Sequence, residues 1–397
     1  MTNSEIAPHI HYIGVNDRTT PLFESLWPLP NGVSYNSYLI SGSDKVAIID
    51  GVEVSHALEQ IDHIKTILGD RTPDYLIINH MEPDHSGGIS LLRSAFPGLT
   101  IVGNAQTLAM VKGFYGVTDN TLAIKDGDTL ELGGDVTLQF FLTPMVHWPE
   151  TMMTYFKEGK ALFSGDAFGC FGALNGAIVD REMNTERYFP EMVRYYSNIV
   201  GKYGQFVQRA LAKLANAEIE MICSTHGPVW QEEIDRVIDL YNRLSQYQPL
   251  DNGVTIVYGS MYGNTARMAE AAARQLALEG VKEIVIHNAS VSSQSQMIAD
   301  CFAHRGLVIA APTYSDGLFP PVAALMKALT VRGLKNREVA LLGSHTWSPQ
   351  GIKMMQKYLE AWETEAVAAP VSAKHAPDHN ALTQCAEAAS ALASKLR

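Results

Sequence analysis

The stretch Tyr75-Leu-Ile-Ile-Asn-His80-Met-Glu82-Pro-Asp84-His85-Ser-Gly-Gly88 carries the strongest signal in the chain. Its apolar start predicts a buried strand that ends at His80, and four side chains able to bind a metal lie within six residues on a turn stiffened by Pro83. Two glycines follow, and a helix is predicted to begin after them. Imidazoles and carboxylates crowded on one tight turn repel one another unless a cation joins them, so this stretch predicts a metal site.

Three further segments each place one more ligand type after a strand, at His147, Asp166 and His226. A single histidine in such a place is more often an ordinary core residue, but four matching strand ends favour a metal site. The full candidate set is His80, Glu82, Asp84, His85, His147, Asp166 and His226. Seven ligands are too many for one tetrahedral ion and predict two metals, roughly 3.5–4 Å apart, with Asp166 as the bridging carboxylate.

A polar break at residues 246–253 separates two patterns of secondary structure. Before it, strands arrive in groups with helices between the groups, which predicts two sheets covered by helices. After it, strands and helices alternate strictly from Val254 onward, which predicts a parallel, doubly wound sheet. We therefore expect two domains, residues 1–250 and residues 251–397.

The second domain opens with a strand, a loop rich in glycine and hydroxyls, and a helix. Loop amides, hydroxyls and a helix N-terminus suit a phosphate, but the loop lacks the lysine of an ATP-binding loop and the glycine spacing of a dinucleotide site. Two later strand ends should converge on it, with Tyr314 and Trp347 flanking a flat ring. The candidate cofactor-binding residues are Ser260, Met261, Tyr262, Gly263, Asn264, Thr265, Pro312, Thr313, Tyr314, Ser315, Asp316, Gly317, Ser344, His345, Thr346 and Trp347.

Each half resembles a known family. The ligand pattern His80-x-Glu82-x-Asp84-His85 is similar to the motif of the metallo-β-lactamase superfamily, with Glu82 in place of that motif's second histidine. The three carboxylates make a harder and more anionic ligand set than a hydrolytic zinc site has, which favours an iron pair with positions left open for a diatomic ligand. The loop Ser260-Met-Tyr-Gly-Asn-Thr265 resembles the FMN phosphate loop of flavodoxin.

In this order the two halves resemble the flavodiiron proteins, also called A-type flavoproteins. The resemblance implies an α/β chain: a metallo-β-lactamase-like αβ/βα sandwich, then a flavodoxin-like domain with a doubly wound parallel sheet. It implies one iron on His80, Glu82 and His147, and a second on Asp84, His85 and His226, bridged by Asp166. It also puts Tyr195 near the open iron position, although Tyr196 is an equally good sequence match.

By the same resemblance the chain is an oxidoreductase that reduces oxygen to water, nitric oxide to nitrous oxide, or both, with electrons passing from FMN to two non-haem irons. Chains of the family pair head to tail, which implies a homodimer or a dimer of dimers. The sequence stops at Arg397 without a rubredoxin or flavin reductase module, so we expect a separate donor such as rubredoxin or another reduced carrier. Glu24 stands where some members have histidine, and His345-Thr346 replaces a usual Tyr-Gly.

The composition fits this interpretation and excludes others. The 397 residues are 46% hydrophobic and carry a formal charge of -12, which favours two large cores and argues against nucleic acid as a partner. No apolar run is long enough for a membrane span, and the N-terminal sequence lacks a secretory signal, so we expect a cytoplasmic protein. Two alternatives stay open: a zinc-dependent hydrolase with an accessory flavodoxin-like domain, and a non-enzymatic electron carrier.

Overall fold

The computed structural model describes residues 4–397, so the first residues of the N-terminal stretch that argues against a secretory signal lie outside it. The chain divides into two compact units. One contains the chain up to Tyr196 together with Gln205–Asn242, and the other contains Ser197–Gly204 and Arg243–Arg397. The domain limits 1–250 and 251–397 stay a prediction, because contacts alone do not define segments that fold independently.

The first 250 residues hold many short strands and seven α-helices in the described part of the chain. The strands are β1 (Glu5–Ala7), β2 (Ile10–Tyr12), β3 (Val15–Asp17), β4 (Leu22–Phe23), β5 (Trp27–Pro28), β6 (Val33–Tyr35), β7 (Tyr38–Ser41), β8 (Val46–Ile49), β9 (Tyr75–Ile77), β10 (Thr100–Gly103), β11 (Thr121–Ala123), β12 (Thr129–Glu131), β13 (Thr137–Leu142), β14 (Met152–Phe156), β15 (Ala161–Gly165) and β16 (Met221–Ser224). The helices are α1 (Ala57–Leu68), α2 (Pro83–Ser86), α3 (Ile89–Ala95), α4 (Ala105–Tyr115), α5 (Tyr188–Tyr195), α6 (Gly204–Leu214) and α7 (Ile234–Ser245).

These strands form two main sheets. The first has the order β1-β2-β7-β8-β9-β10-β11 and is antiparallel up to β8 and parallel from β8 to β11. The second has the order β12-β13-β14-β15-β16, with β15 and β16 parallel. The buried rings of Tyr38 on β7 and Phe163 on β15 meet with centroids 5.2 Å apart, so the inner faces of the two sheets share one core. This is the predicted sandwich.

The outer face of the first sheet is covered by helices. Ile61 and Ile64 of α1 pack with Leu92 of α3 against strand residues that include Ile48 and Leu76, all buried. Helix α4 begins where the Asn104 side chain accepts hydrogen bonds from two backbone amides, and it ends at Gly116 with a positive φ, the usual C-terminal signal. The apolar stripe of each helix thus decides which side faces the sheet.

The second unit is a parallel sheet with helices on both faces. Its strands are β17 (Asp251–Tyr258), β18 (Ile284–Asn288), β19 (His304–Tyr314), β20 (Gly317–Leu318), β21 (Glu338–His345) and β22 (Val371–Lys374). Its helices are α8 (Asn264–Leu278), α9 (Gln294–Ala303), α10 (Pro320–Val331), α11 (Gln350–Ala361) and α12 (His379–Leu396). The strand order β18-β17-β19-β21-β22 is that of the flavodoxin-like doubly wound sheet.

Some elements differ from the sequence prediction. The spacing of apolar residues over residues 189–202 predicts one helix, but α5 ends at Tyr195 and a π-helical turn over Tyr196–Val200 follows it. Strand β14 and helices α4 and α7 were not predicted. Within residues 4–397, no helix combines the length and the apolar character that crossing a membrane requires.

Candidate metal centre and flavin pocket

Four strand ends bring the seven predicted metal ligands to one place. His80 and Glu82 follow β9, and Asp84 and His85 lie on the short helix α2 that begins at Pro83. The other three ligands follow strands of the second sheet: His147 after β13, Asp166 after β15 and His226 after β16. Both sheets therefore contribute side chains to a single edge of the sandwich.

Around one half of the cluster, two imidazoles face two carboxylates. His147 Nε2 lies 3.0 Å from both Glu82 Oε2 and Asp166 Oδ2. His80 Nε2 lies 3.2 Å from the same Glu82 oxygen and 3.5 Å from the same Asp166 oxygen. The four ligand atoms therefore surround one point that a cation can occupy.

The other half of the cluster faces the second oxygen of Asp166. His85 Nε2 lies 3.0 Å from Asp166 Oδ1 and 3.2 Å from Asp84 Oδ2. His226 Nε2 lies 3.3 Å from that Asp84 oxygen and 3.8 Å from Asp166 Oδ1. One oxygen of Asp166 thus faces each group of imidazoles, which is the arrangement of a carboxylate that bridges two metals.

Buried polar atoms without well-formed hydrogen bonds support a cation at this site. Both oxygens of Asp84, both ring nitrogens of His85 and Nε2 of His226 are buried, and none makes a hydrogen bond of good geometry to the described residues. Buried polar atoms that lack hydrogen bonds are costly, and these five belong to the second group of ligands. Four imidazoles with three carboxylates are a donor set suited to divalent transition metals, so the residues fit a metal pair.

The charges of the cluster shift the pKa values of its own ligands. Burial alone would lower the pKa of His85, but the Asp84 and Asp166 carboxylates outweigh it and raise this pKa to about 9. Burial is likewise outweighed at His147, where hydrogen bonds to Asp166 and Glu82 raise the pKa to about 9. Despite its burial, Asp166 has a pKa well below its ordinary value because of the surrounding histidines. Protons and metal cations therefore compete for the same imidazoles.

Several groups that support the ligands were not found from the sequence. Glu150 Oε1 lies 3.0 Å from His80 Nδ1, and the Thr225 hydroxyl donates a hydrogen bond of 2.6 Å to Asp166 Oδ1. His226 Nδ1 donates to the carbonyl oxygen of Ser34 at 2.7 Å. Glu150 and Thr225 lie three and one residues from predicted ligands, but nothing in the local pattern distinguishes them from other polar loop residues.

The two candidate tyrosines have different surroundings. The buried Tyr195 ring lies 5.5 Å from the His226 ring and 5.0 Å from the Phe171 ring, and the Tyr195 hydroxyl has no hydrogen-bond partner in the described residues. Tyr196 instead packs against Tyr241, with ring centroids 5.1 Å apart. Of the two, Tyr195 is therefore the one whose ring contacts a ring of the ligand cluster.

Glu24, the residue that departs from the family pattern, also contacts the cluster. Its Oε2 accepts a hydrogen bond of 3.0 Å from Trp27 Nε1, and its carboxyl group is hydrogen bonded to Glu82. Burial of the carboxyl group and the neighbouring Glu82 charge raise the pKa of Glu24 to about 7. Hydrogen bonds and charges from His147 and His80 lower the pKa of Glu82 despite its burial, so a proton bound between the two carboxyl groups resides on Glu24.

The second unit contains a cavity of about 390 Å³ at the carboxyl edge of its sheet. Thirteen of the sixteen predicted cofactor residues line it, all except Gly263, Asp316 and Gly317, which lie in the same loops. Gly263 N donates to Ser260 Oγ at 3.1 Å, and the Thr265 and Ser344 hydroxyls join two of the loops at 2.8 Å. Ser348 and His375 also line the cavity. His375 follows β22, a strand that the sequence analysis did not predict.

Comparison with known proteins supports the family resemblance of both predicted domains. A family model described as ODP family beta lactamase matches residues 33–227, and a flavodoxin model matches residues 256–388. An anaerobic nitric oxide reductase flavorubredoxin of Escherichia coli O1:K1 / APEC is 30% identical over 385 residues, which are 96% of this chain and 79% of that protein. The chain belongs to the flavodiiron protein family.

Two solved structures extend this similarity over the whole flavodiiron chain. A rubredoxin oxygen:oxidoreductase from the anaerobe Desulfovibrio gigas has a TM-score of 0.93 and 26% identity, covering 99% of this chain and 98% of its own. A flavodiiron protein from Giardia intestinalis has a TM-score of 0.92 and 26% identity with the same coverage. The predicted family and fold class are confirmed, and FMN and a non-haem diiron centre are the cofactors of this oxidoreductase.

Proposed function

We propose that this flavodiiron protein reduces dioxygen to water, nitric oxide to nitrous oxide, or both, at its diiron centre. The observation that carries the proposal is the division of Asp166, with one oxygen facing His80 and His147 and the other facing His85. Two relatives support the choice of substrates through their names, one a nitric oxide reductase and the other an oxygen oxidoreductase. The zinc hydrolase alternative has no comparable support.

We assign the seven ligands to two irons. The distances support His80, Glu82 and His147 for one ion and Asp84, His85 and His226 for the other, with Asp166 between them. When bound, FMN supplies two electrons and the iron pair two more, which together equal the four that one dioxygen needs to become two waters. Coupling of two nitric oxide molecules to nitrous oxide and water needs only two electrons.

The protein side chains hold the cluster and restrict access to it. All ligands except Asp84 are more than nine-tenths buried, so their positions are fixed by packing rather than by solvent. We propose that Tyr195 forms one wall of the gas-binding space, supported by its ring contact with His226 and by its unpaired hydroxyl. The Trp148 ring, 5.3 Å from His80, packs against the other group of ligands.

We place FMN in the 390 Å³ cavity of the second unit. The loop from Ser260 to Thr265 suits the phosphate, because its hydroxyls and amides lie at the N-terminus of α8. Tyr314 and Trp347, with 45% and 79% of their surfaces exposed, suit the flat isoalloxazine ring. We propose that rubredoxin or another reduced carrier supplies the electrons. We also propose that the chains associate head to tail as a homodimer or a dimer of dimers.

The test uses the purified full chain reconstituted with FMN and either iron or zinc. After anaerobic reduction, the protein is mixed with oxygen or nitric oxide while flavin absorbance and gas concentration are followed. We expect the iron form to reoxidise its flavin faster than free FMN does and to consume gas, and the zinc form to lack this acceleration. Equal rates in the two forms would contradict the proposal and leave the chain as an electron carrier.

A further inference from the structure

One metal ligand has a charged partner on the side away from the cluster. His80 directs Nε2 toward Glu82 and Asp166, while its Nδ1 lies 3.0 Å from Glu150 Oε1. Both His80 and Glu150 have almost no exposed surface. An imidazole placed in this way donates its Nδ1 proton to the carboxylate and keeps the Nε2 lone pair for a metal.

Glu150 is itself held in place by the fold. The same oxygen, Oε1, accepts a hydrogen bond of 2.9 Å from the amide of Met81. The Asn104 side chain, at the start of α4, donates to the Glu150 carbonyl oxygen at 2.6 Å. The other carboxylate oxygen, Oε2, is buried and accepts no hydrogen bond from the described residues. Of the two carboxylate oxygens, Oε1 is therefore the one that faces both His80 and the Met81 amide.

Two of the other histidines of the cluster, His85 and His226, lack a carboxylate at the ring nitrogen that faces away from the cluster. His226 Nδ1 donates to the neutral carbonyl of Ser34, and His85 Nδ1 is buried without a partner in residues 4–397. The group of ligands around Asp84, His85 and His226 therefore has no carboxylate behind its imidazoles. The two groups of metal ligands therefore differ in the residues hydrogen bonded to their imidazoles, although both groups contain two histidines and one carboxylate of their own.

We propose that Glu150 is a positioning residue that acts through His80 and selectively strengthens the metal position formed by His80, Glu82 and His147. It does so by fixing the tautomer and orientation of His80 and by increasing the donor strength of Nε2. Loss of such an outer partner typically weakens metal binding about 10- to 100-fold. The inference rests on the ligand assignment made under the proposed function.

The test compares metal-free wild-type protein with Glu150→Gln, Glu150→Met and the control Asp180→Asn. Asp180 is also a buried carboxylate, but it accepts from the amides of residues 231–233 and contacts no proposed ligand. Zinc is titrated into each protein against a chromogenic chelator, and histidine ¹⁵N resonances show which imidazoles bind it. Zinc is chosen because it is redox-inert, so binding is measured apart from activity.

We expect two zinc ions per wild-type chain. Glu150→Met should weaken the position of His80 and His147 about 10- to 100-fold while the position of His85 and His226 keeps its affinity. Glu150→Gln retains an acceptor for His80 without the charge and should weaken the same position less, and Asp180→Asn should weaken neither. The Glu150→Gln result decides the matter if Glu150→Met does not fold.

Two results would overturn the inference: wild-type affinities in Glu150→Gln, or equal weakening of both positions in the Glu150 variants. Neither would affect the proposed function, since the wild-type chain would still bind two ions. Conversely, a wild-type chain that binds fewer than two ions would contradict the dinuclear centre itself, and with it the basis of the inference. The two failures are thus distinguishable in one experiment.

Discussion

Asp166 is the side chain that joins both halves of the proposed metal centre, because each of its oxygens faces a different group of imidazoles. Burial alone would raise the pKa of this carboxylate, but the charges of His85 and His80 and the hydrogen bonds from His147 and His85 hold it well below its ordinary value. Replacement by asparagine keeps the shape but removes the charge that both positions share. The substitution therefore tests the bridge directly.

We predict that Asp166→Asn lowers the metal affinity of both positions. The loss should exceed the factor of about 10 to 100 that is typical when a residue hydrogen bonded to a ligand is removed. Metal content after dialysis should fall from two ions toward none, and gas consumption should fall with it. Thr225→Val, which removes only the hydroxyl that donates to Asp166 Oδ1, should have the smaller effect of an outer partner. Two tightly held ions in Asp166→Asn would show that this residue does not bridge them.

We predict that metal binding releases protons at pH 7.5 and strengthens as the pH rises toward 9. His85 and His147 each have a pKa of about 9 in the metal-free fold, above the ordinary value of about 6.5. Their protonation stabilises the metal-free fold fully below pH 6.5, and this stabilisation is lost as the pH rises through 9. Zinc titrations in two buffers of different ionisation enthalpy measure the released protons, and zero release would contradict the prediction.

Among individual residues, the metal ligands were predictable from the sequence, whereas the residues hydrogen bonded to those ligands were not. His80, Glu82, Asp84 and His85 lie so close together in the chain that their chemistry is visible without a structure. Glu150 reaches His80 across 70 residues of sequence, and Asn104 reaches Glu150 across 46. Such contacts depend on how two sheets pack, which no local pattern encodes.

At the scale of elements, the turn that enters α8 combines a constrained backbone conformation with the proposed binding of the FMN phosphate. Gly263 has φ +88°, and a Cβ placed there would meet no atom within 4 Å. An alanine at this position would therefore be disfavoured by backbone conformation alone, at about 1–2 kcal/mol. Because Gly263 N is hydrogen bonded to Ser260 Oγ, a change of conformation here would also move the phosphate donors.

We predict that Gly263→Ala raises the Kd for FMN about 5- to 30-fold, which corresponds to 1–2 kcal/mol. Quenching of FMN fluorescence by the metal-free protein measures the Kd. Gly280→Ala is the matched control, because Gly280 has φ +90°, also has open space around it, and lies outside the three loops that form the cavity. The control should lower unfolding stability by a similar amount and leave the Kd unchanged. Equal Kd effects of both variants would refute a local role for Gly263.

The elements were predictable where their periodicity is strong. The alternation of β17 to α11 follows apolar strands and amphipathic helices that local sequence alone defines. Strand β14 is buried along its whole length and therefore lacks the alternation that marks a half-buried strand. The helix expected to reach residue 202 changes to a π-helical turn after Tyr195, because tertiary packing and not helix propensity sets that geometry.

At the scale of the whole molecule, the proposed function requires electrons to pass between two cofactors held by different units. Head-to-tail pairing would bring the FMN of one chain to the irons of another. A mixture of two inactive variants tests this pairing. Ser260→Asp should repel the FMN phosphate through like charge, whereas Asp166→Asn should remove the metal pair.

We predict that each variant alone is inactive and that mixed dimers, formed by coexpression with two affinity tags, recover part of the wild-type activity. In such a dimer, the flavin of the Asp166→Asn chain faces the irons of the Ser260→Asp chain. Sedimentation measures the size of the assembly, and oxygen or nitric oxide consumption measures its activity. Mixed dimers without activity would exclude transfer between chains.

The domain order and the family were predictable from the sequence because both ligand patterns are short, local and chemically distinctive. The pairing of chains has no such motif and enters only through the family resemblance. We expect the preference between oxygen and nitric oxide to depend on the groups that contact the ligands, such as Glu24 beside Glu82 and Tyr195 beside His226. That arrangement exists only after both sheets and α5 have packed together.

We propose that FMN and the iron pair act together as one four-electron unit, and this proposal is tested by counting the electrons that oxygen takes up. The fully reduced protein is titrated anaerobically with measured amounts of oxygen while flavin absorbance and hydrogen peroxide are recorded. We expect complete reoxidation by about one dioxygen per chain, with water as the product and no hydrogen peroxide. Reoxidation that consumes about two dioxygens per chain and releases hydrogen peroxide would contradict it.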